Sequence, residues 1–187
     1  ASLEPLKIVV DPGNGGAGEV IELLVKEGDK VEKGDLLARI DPEIYRANYD
    51  RMLATLNAQK ANEANARARL AQTTAQFKNA ELSFERNKKL WDQQVISEAD
   101  YDAAVAAYEV ALAEVDAAEQ NLRSAEFAVA SAEASLEEAK ENLDKTNVTA
   151  PNDGTVSKLS IENGERVTGA SQFSSGTEIM RIANLNE

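Results

Sequence analysis

The sequence predicts an α+β protein, in which a small β domain is divided into two halves by a long antiparallel α-helical hairpin. Residues 43–146 contain neither proline nor glycine and are rich in strong helix formers. The segments on either side hold all ten glycines of the chain and repeat one pattern of apolar residues. This arrangement predicts a helical insertion between two related β segments.

The two β segments match each other at six positions with a constant offset of 136, after which the second copy has a loop about six residues longer. Each predicts a strand with alternating apolar residues, a glycine-containing turn and a second short strand, at 36–40 in the first copy and 178–182 in the second. One copy has too little apolar surface to be stable alone. We therefore expect the halves to pair into one flattened barrel or sandwich, with residues 41 and 148 close together. The matches are Gly18 with Gly154, Val20 with Val156, Leu23 with Leu159, Val25 with Ile161, Gly28 with Gly164, and Val31 with Val167.

The first helix is predicted over about residues 43–93. Asp41 can supply the N-cap oxygen, and Pro42 is tolerated at the first helical position. Two rows of residues then repeat every seven positions, which predicts a coiled-coil seam that only Glu63 and Gln59 weaken. The rows are Tyr49, Leu56, Glu63, Leu70, Phe77, Phe84 and Trp91, with Met52, Gln59, Ala66, Thr73 and Ala80 beside them.

The second helix is predicted over about residues 98–145, after a tip at about 94–99. Ser97 can cap it, because Asp100 follows three residues later as in a capping box. Its seam alternates large and small residues, which favours close antiparallel packing against the first helix. The rows are Tyr101, Tyr108, Val115, Leu122, Val129, Leu136 and Leu143, with Ala104, Ala111, Ala118, Ala125, Ala132 and Ala139 between them.

Charge is distributed unequally between the two helical segments. Residues 43–96 carry nine Lys or Arg and six Asp or Glu, whereas residues 97–145 carry three and thirteen. Antiparallel packing therefore sets a basic helix against an acidic one, although each exposed pair contributes only a few tenths of a kcal/mol. The formal net charge of −13 argues against a nucleic-acid partner, because binding phosphates requires a basic surface.

The composition also argues against an enzyme. The chain has no Cys and no His, so it lacks thiol nucleophiles, imidazole acid–base groups and the usual zinc ligands. The glycine-rich segment 11–18 superficially resembles a phosphate-binding loop. However, no Gly-Lys-Ser/Thr follows, and a β segment comes next instead of a helix. We expect a connecting loop there, and we expect neither a cofactor nor a metal site.

Residues 18–37 resemble the half-motif of biotinyl/lipoyl carrier domains, with Gly-x-Val followed by Glu-Gly-Asp-x-Val-x-Lys-Gly-Asp-x-Leu. In such carriers the modified lysine lies on a tight hairpin joining the two halves, which would place it just after Ile40. This chain has Asp41 and Pro42 there, followed by a helix, while Lys30 lies in a different turn. The resemblance implies a lipoyl-like fold, and a swinging-arm carrier is one alternative function.

A lipoyl-like domain split by a coiled-coil hairpin resembles the periplasmic adaptor, or membrane fusion, proteins of the haemolysin-secretion and macrolide-efflux type. The likeness extends from Lys7 to Glu187. Residues 150–156 read Ala-Pro-Asn-Asp-Gly-Thr-Val, similar to the Ala-Pro-x-x-Gly-x-Val signature of that family. The resemblance implies β halves at 7–41 and 147–187 around a hairpin at 42–146.

The family resemblance implies an adaptor that links an inner-membrane transporter, ABC-type or proton-driven, to a TolC-like outer-membrane duct. It also implies a periplasmic location, attachment to the inner membrane and a ring of copies around a channel. Full-length adaptors of this kind continue into a β barrel and a membrane-proximal domain and carry a membrane anchor, so we expect the barrel beyond Glu187 and the anchor outside this segment. A structural coiled-coil protein without a transport role is a second alternative, but it would not explain the two β halves.

The resemblance also implies particular contact residues. Adaptors that dock on TolC-like ducts carry Arg, then Leu four residues later, then Ser seven after that, and Arg86, Leu90 and Ser97 match this spacing. Each also has a structural explanation, as a solvated charge, a seam residue and a helix cap. Asn163 takes the position of a channel-lining glutamine in macrolide-type adaptors, although Asn-Gly is also a favoured turn pair.

Overall fold

The computed structural model describes residues 6–9, 17–169 and 176–183, which form two antiparallel sheets and two long helices. These elements confirm the predicted fold class, a split lipoyl-like β domain with an inserted helical hairpin. The chain divides into two compact units, Ala1–Met52 with Leu136–Glu187, and Leu53–Ser135. The first unit holds the β domain and the second holds most of the hairpin.

Each sheet of the β domain combines strands from both halves of the sequence. One sheet has the order β1-β8-β6-β3 and the other β5-β4-β2-β7, so neither half forms a sheet alone. The strands are β1 (Leu6–Val9), β2 (Ala17–Leu23), β3 (Lys30–Val31), β4 (Leu36–Ile40), β5 (Asn147–Thr149), β6 (Gly154–Leu159), β7 (Arg166–Thr168) and β8 (Glu178–Ala183).

The sequence repeat becomes an approximate twofold symmetry of the β domain. Gly28 N–H donates to Val156 O, and the equivalent Gly164 N–H donates to Val20 O, both at 2.8 Å. The pairing of β3 with β6 is repeated by that of β7 with β2. The sequence predicted two strands in each half and missed these short ones, because two or three residues are too few for an alternating pattern to be recognised.

Residues from both halves of the sequence form one core between the two sheets. Two glycines at equivalent positions allow neighbouring strands to approach closely. Gly154 lies so close to β8 that a Cβ there would clash with Ile182 Cγ2 and come within 2.7 Å of Ala183 O, and a Cβ at Gly18 would clash with Ile40 Cγ2. Glycine is therefore required at both equivalent positions for the strands to pack. The core consists of Ile8, Val20, Val31, Leu37, Ile40, Ala150, Val156, Ile161, Val167, Ile179, Met180 and Ile182.

The symmetry is broken by one ion pair. Arg39 on β4 pairs across the sheet with Glu22 on β2, at 3.2 Å. The equivalent Arg181 on β8 is opposite Lys158 and instead pairs with Glu178 on its own strand, at 2.6 Å. The hydrogen bond from Arg181 holds the pKa of the Glu178 carboxyl below its ordinary value and raises the pKa of the guanidinium. The arginine at this repeated position is thus neutralised in each half, by a carboxylate from a different position.

The helical segment leaves and re-enters the β domain at neighbouring positions. Helix α1 runs over Glu43–Asp92 and helix α2 over Glu98–Asp144. Ile40 N–H donates to Thr146 O at 2.8 Å, and β4 pairs with β5, so the two ends meet in one sheet. Glu43 N–H donates to Asp41 Oδ1 at 3.0 Å, which confirms the predicted N-cap.

The predicted seam packs the two helices of the second unit together. Leu56, Ala118, Val129 and Ala132 are buried, and most other seam residues are half-buried. Basic residues of α1 face acidic residues of α2, as the charge distribution predicted. The pairs are Lys60 with Glu133 at 3.2 Å and Arg67 with Glu126 at 3.8 Å.

Candidate docking site at the hairpin tip

The seam changes character toward the tip of the hairpin, where aromatic side chains from both helices alternate. Ring centroids lie 5.3 Å apart for Phe77 and Tyr108 and 5.0 Å apart for Phe84 and Tyr108. Phe84 and Tyr101 follow at 6.3 Å, then Trp91 and Tyr101 at 5.2 Å. Such pairs contribute about 0.5–1.5 kcal/mol each beyond their buried area. This aromatic ladder therefore fixes the end of α1 against the start of α2.

Helix α1 ends in a Schellman turn built without glycine. Gln94 adopts the left-handed conformation, with φ of 58°. Gln94 N–H donates to Trp91 O at 2.8 Å, and Val95 N–H donates to Leu90 O at 2.9 Å. These are the two hydrogen bonds of the motif, and they satisfy carbonyls that the end of a helix leaves without partners. The chain can therefore reverse within residues 93–97.

Ser97 is the N-cap of helix α2, on the other side of the reversal. Its Oγ accepts a hydrogen bond from Asp100 N–H at 3.2 Å and donates to Asp100 Oδ2 at 2.6 Å. This geometry confirms the predicted cap. The Ser97 hydroxyl is therefore engaged in forming the turn, although the residue itself is exposed.

Arg86 and Leu90 lie one helical turn apart on the same face of α1. Arg86 is exposed and forms no ion pair with any residue that the structure describes, while Leu90 is half-buried. Two further apolar side chains are accessible nearby, Val95 at 65% and Trp91 at 37%. Sequence reasoning did not propose Val95 as a contact residue, although an apolar residue within a predicted reversal was the signal that could have indicated it.

Arg86, Leu90 and Ser97 all lie at one end of the hairpin. This end therefore has a cation from Arg86, apolar side chains including Leu90, and the hydrogen-bonded turn that contains Ser97. A guanidinium without an ion-pair partner can donate charge-assisted hydrogen bonds to a carboxylate or to carbonyl groups. The neighbouring apolar side chains can pack against a helix. The site therefore suits binding to another protein.

The remaining sequence-predicted positions lie in the first unit. Asn163 is exposed in the turn before Gly164, whose φ is 86°. In the equivalent turn of the first half, Glu27 Oε1 accepts a hydrogen bond from Leu159 N–H at 2.9 Å. Of the glycine-rich segment, residues 11–16 lie outside the described part of the chain. Strand β2 follows this segment, and a phosphate-binding loop would require a helix there.

No helix in the described ranges has the length and apolar character needed to span a membrane. Within the same residues, no group of three or more carboxylates is arranged to hold a metal ion. Asp41 and Pro42, directly before α1, lie where a carrier domain would have its modified lysine.

A β domain closed from two separated halves, with a helical hairpin inserted between them, defines a barrel-sandwich hybrid. Residues 11–177 match the sequence profile described as "RND MFP, barrel-sandwich hybrid domain". This match covers most of the chain, and the chain belongs to the membrane fusion protein family.

Named relatives support this assignment. The chain is 40% identical over 185 residues to the pyoverdine export membrane fusion protein PvdR of Pseudomonas putida, covering 99% of this chain and 43% of that protein. It is 34% identical over 177 residues to the macrolide export protein MacA of Yersinia pestis, covering 95% and 43%. The chain thus spans less than half the length of the curated relatives it matches.

Solved structures agree with the fold. MacA from Actinobacillus actinomycetemcomitans superimposes with a TM-score of 0.55 at 31% identity, over 100% of this chain and 52% of that one. The periplasmic adaptor protein EmrA superimposes with a TM-score of 0.52 over 98% of this chain and 73% of that one. At 20% identity, EmrA supports the fold alone.

Proposed function

We propose that this chain is the hairpin-bearing part of a periplasmic adaptor that joins an inner-membrane transporter to a TolC-like outer-membrane duct. The observation that carries the proposal is the tip of the hairpin, where Arg86 is exposed without an ion pair among the described residues and where Val95 and Trp91 have accessible apolar side chains. The export functions in the names of the relatives support the same reading. The chain acts as a coupling scaffold and not as an enzyme.

In this proposal the tip residues have different roles. Arg86 donates hydrogen bonds to carbonyl or carboxylate groups of the duct, and Leu90 packs between its helices. Ser97 acts indirectly, because its hydroxyl is already bonded to Asp100 and holds the turn in shape. The aromatic ladder keeps the two helix ends together, so that the tip meets its partner in one conformation and loses little entropy on binding.

The other parts of the proposal follow from the family. The domain division is a first β half at 7–41, the hairpin at 42–146 and a second β half at 147–187. Copies assemble as a ring in the periplasm, attached to the inner membrane, and the exposed Asn163 turn borders the central channel. The transporter contacts parts of the protein outside this chain.

The proposal is tested by changing the tip within the complete gene and measuring export in cells that lack the native adaptor. Arg86→Ala and Leu90→Ala should each lower export about tenfold or more. A charge-assisted hydrogen bond from Arg86 contributes about 1.5–3 kcal/mol, and full burial of the Leu90 side chain contributes about as much. Circular dichroism should show unchanged helix content. Arg69→Ala and Leu53→Ala are matched controls, since both residues are exposed on α1 outside the tip. Export at the native level in both tip variants would refute the site.

A further inference from the structure

A cavity of about 490 Å³ lies where the two ends of the helical hairpin join the β domain. Its volume is within the range of pockets that hold small ligands. Apolar and charged side chains line it together, and all of them belong to the first unit. They include Ile21, Arg39, Pro42, Arg46, Leu143 and Asp144.

Two opposite charges in this cavity, Arg46 and Asp144, form no ion pair with any residue that the structure describes. Arg46 lies in the first turn of α1, and Asp144 is the last residue of α2. A helix carries partial positive charge at its start and partial negative charge at its end, so each side chain lies at the helix end that disfavours its charge. The last turn of α2 contains no basic residue, and Lys145, which follows, lines a different cavity. Both side chains would therefore be stabilised by an oppositely charged group that binds in the cavity.

A second guanidinium group, that of Arg39, lines the same cavity. Its Nη1 pairs with Glu22 Oε2 at 3.2 Å. A guanidinium has several N–H donors in one plane, so a single ion pair leaves others for a ligand. The cavity thus offers two guanidinium groups and the carboxylate of Asp144. This arrangement is complementary to a ligand that carries both an anion and a cation.

The apolar part of the cavity includes Ile21, which is the extra residue of a β-bulge in β2 and is 49% exposed. The equivalent bulge in β6 has Ser157, whose hydroxyl donates to Arg181 O at 3.2 Å. An exposed apolar side chain therefore occupies this repeated position only in the half that borders the hairpin. Together with Pro42 and Leu143, it gives the cavity an apolar wall.

We infer that this cavity binds an amphipathic zwitterion, a ligand with an ammonium group, a phosphate or carboxylate, and an apolar part. Arg39 and Arg46 donate hydrogen bonds to the anion, Asp144 accepts one from the ammonium group, and Ile21 and Leu143 pack against the apolar part. A phospholipid with an ethanolamine head group has this chemistry, and so does a free amino acid with a large apolar side chain. The inference is independent of the proposed contact at the hairpin tip.

Calorimetric titration of the complete protein tests the inference and separates the two sources. The lipid probe is lysophosphatidylethanolamine, below the concentration at which it forms micelles, and the amino-acid probe is phenylalanine. Lysophosphatidylglycerol lacks the ammonium group, and dodecylamine lacks the anion. The lipid zwitterion should bind about tenfold more tightly than either, because each comparison lipid loses a charge-assisted hydrogen bond. Binding of phenylalanine alone would assign a free amino acid as the ligand.

Two outcomes of these titrations would overturn the inference. The first is that neither zwitterion binds. The second is that the three lipids bind equally and phenylalanine does not bind, because the charges of the cavity would then not select the ligand.

Charge variants locate the binding in this cavity. Asp144→Asn should make the affinities for lysophosphatidylethanolamine and lysophosphatidylglycerol equal, whereas Arg46→Gln should weaken both about tenfold, since both lipids carry a phosphate. If phenylalanine is the ligand, its affinity should fall about tenfold in both variants. Glu141→Gln and Arg123→Gln are matched controls, because both residues are exposed on α2 and neither lines the cavity. Unchanged binding in Asp144→Asn and Arg46→Gln would overturn the inference.

The apolar wall is tested by Ile21→Ser, which introduces the residue found at the equivalent bulge. This variant should weaken binding of the zwitterion by about threefold to tenfold and keep the preference for both charges. Ile44→Ser is the control, because Ile44 is 75% exposed and does not line the cavity. Equal affinities of the two variants would contradict the role of Ile21. Arg86→Ala should leave the titrations unchanged, so a failure of the tip proposal and a failure of this inference can be told apart.

Discussion

The β domain and the hairpin are both built from sequence repeats, but the repeated residues are buried to different extents. In the β domain, each sheet contains strands from both copies of one motif. The two sheets enclose side chains such as Leu37, Ile40 and Ile179, which are fully buried. In the hairpin, a seven-residue repeat leaves most seam side chains half-buried. Stability is therefore concentrated in a few residues of the β domain and distributed along many residues of the hairpin.

The largest effect is expected for Leu37→Ala in the β domain. Removing a fully buried leucine side chain lowers the free energy of unfolding by about 2–5 kcal/mol. Hydrogen exchange should show this loss in the amides of β4 and β6, because both sheets share the core. Leu70→Ala, at a half-buried seam position, should cost roughly half as much and leave β-strand protection unchanged. If the two variants lose equal amounts of unfolding free energy, stability is not concentrated in the core of the β domain, and the proposed difference between the β domain and the hairpin is wrong.

A smaller effect of opposite sign is expected at the hairpin tip for Gln94→Gly. The left-handed backbone conformation of Gln94 costs about 1 kcal/mol in a residue that has a Cβ atom. Glycine has no Cβ and adopts this conformation without that cost. Hydrogen exchange should show greater protection of the amides beside the turn, by up to about tenfold, and no change in the β domain. Lower protection in the variant would mean that the glutamine side chain makes a contact that outweighs its backbone strain.

The regular parts of this protein could be predicted from its sequence. The absence of glycine and proline between residues 43 and 146 indicated the helices, and the caps at Asp41 and Ser97 follow from local hydrogen bonding. The exchange of strands was harder to predict, because β3 and β7 have only two and three residues and their partners lie in the other half of the chain. Pairing of that kind depends on tertiary packing and not on local preference.

The tip could be predicted only in part. The family resemblance predicted a contact surface at Arg86, Leu90 and Ser97, which stays a prediction, whereas the accessibility of Val95 depends on how the Schellman turn directs it. The aromatic ladder also combines rings from two helices, and only their level in the folded hairpin brings Phe84 between Tyr101 and Tyr108. Such contacts between side chains depend on the register of one helix against the other. The seven-residue repeat of each helix does not specify that register.

The proposed contact between the tip of the hairpin and an outer-membrane duct can be tested by photo-cross-linking. A photo-cross-linking residue at Val95, within the complete gene and in intact cells, tests this directly, with the same residue at Ile44 as its control. Both native side chains are exposed and aliphatic, at 65% and 75%. We expect a covalent product from Val95 that antibodies identify as the duct, and none from Ile44. Capture of the duct from Ile44 alone, or from neither position, would contradict it.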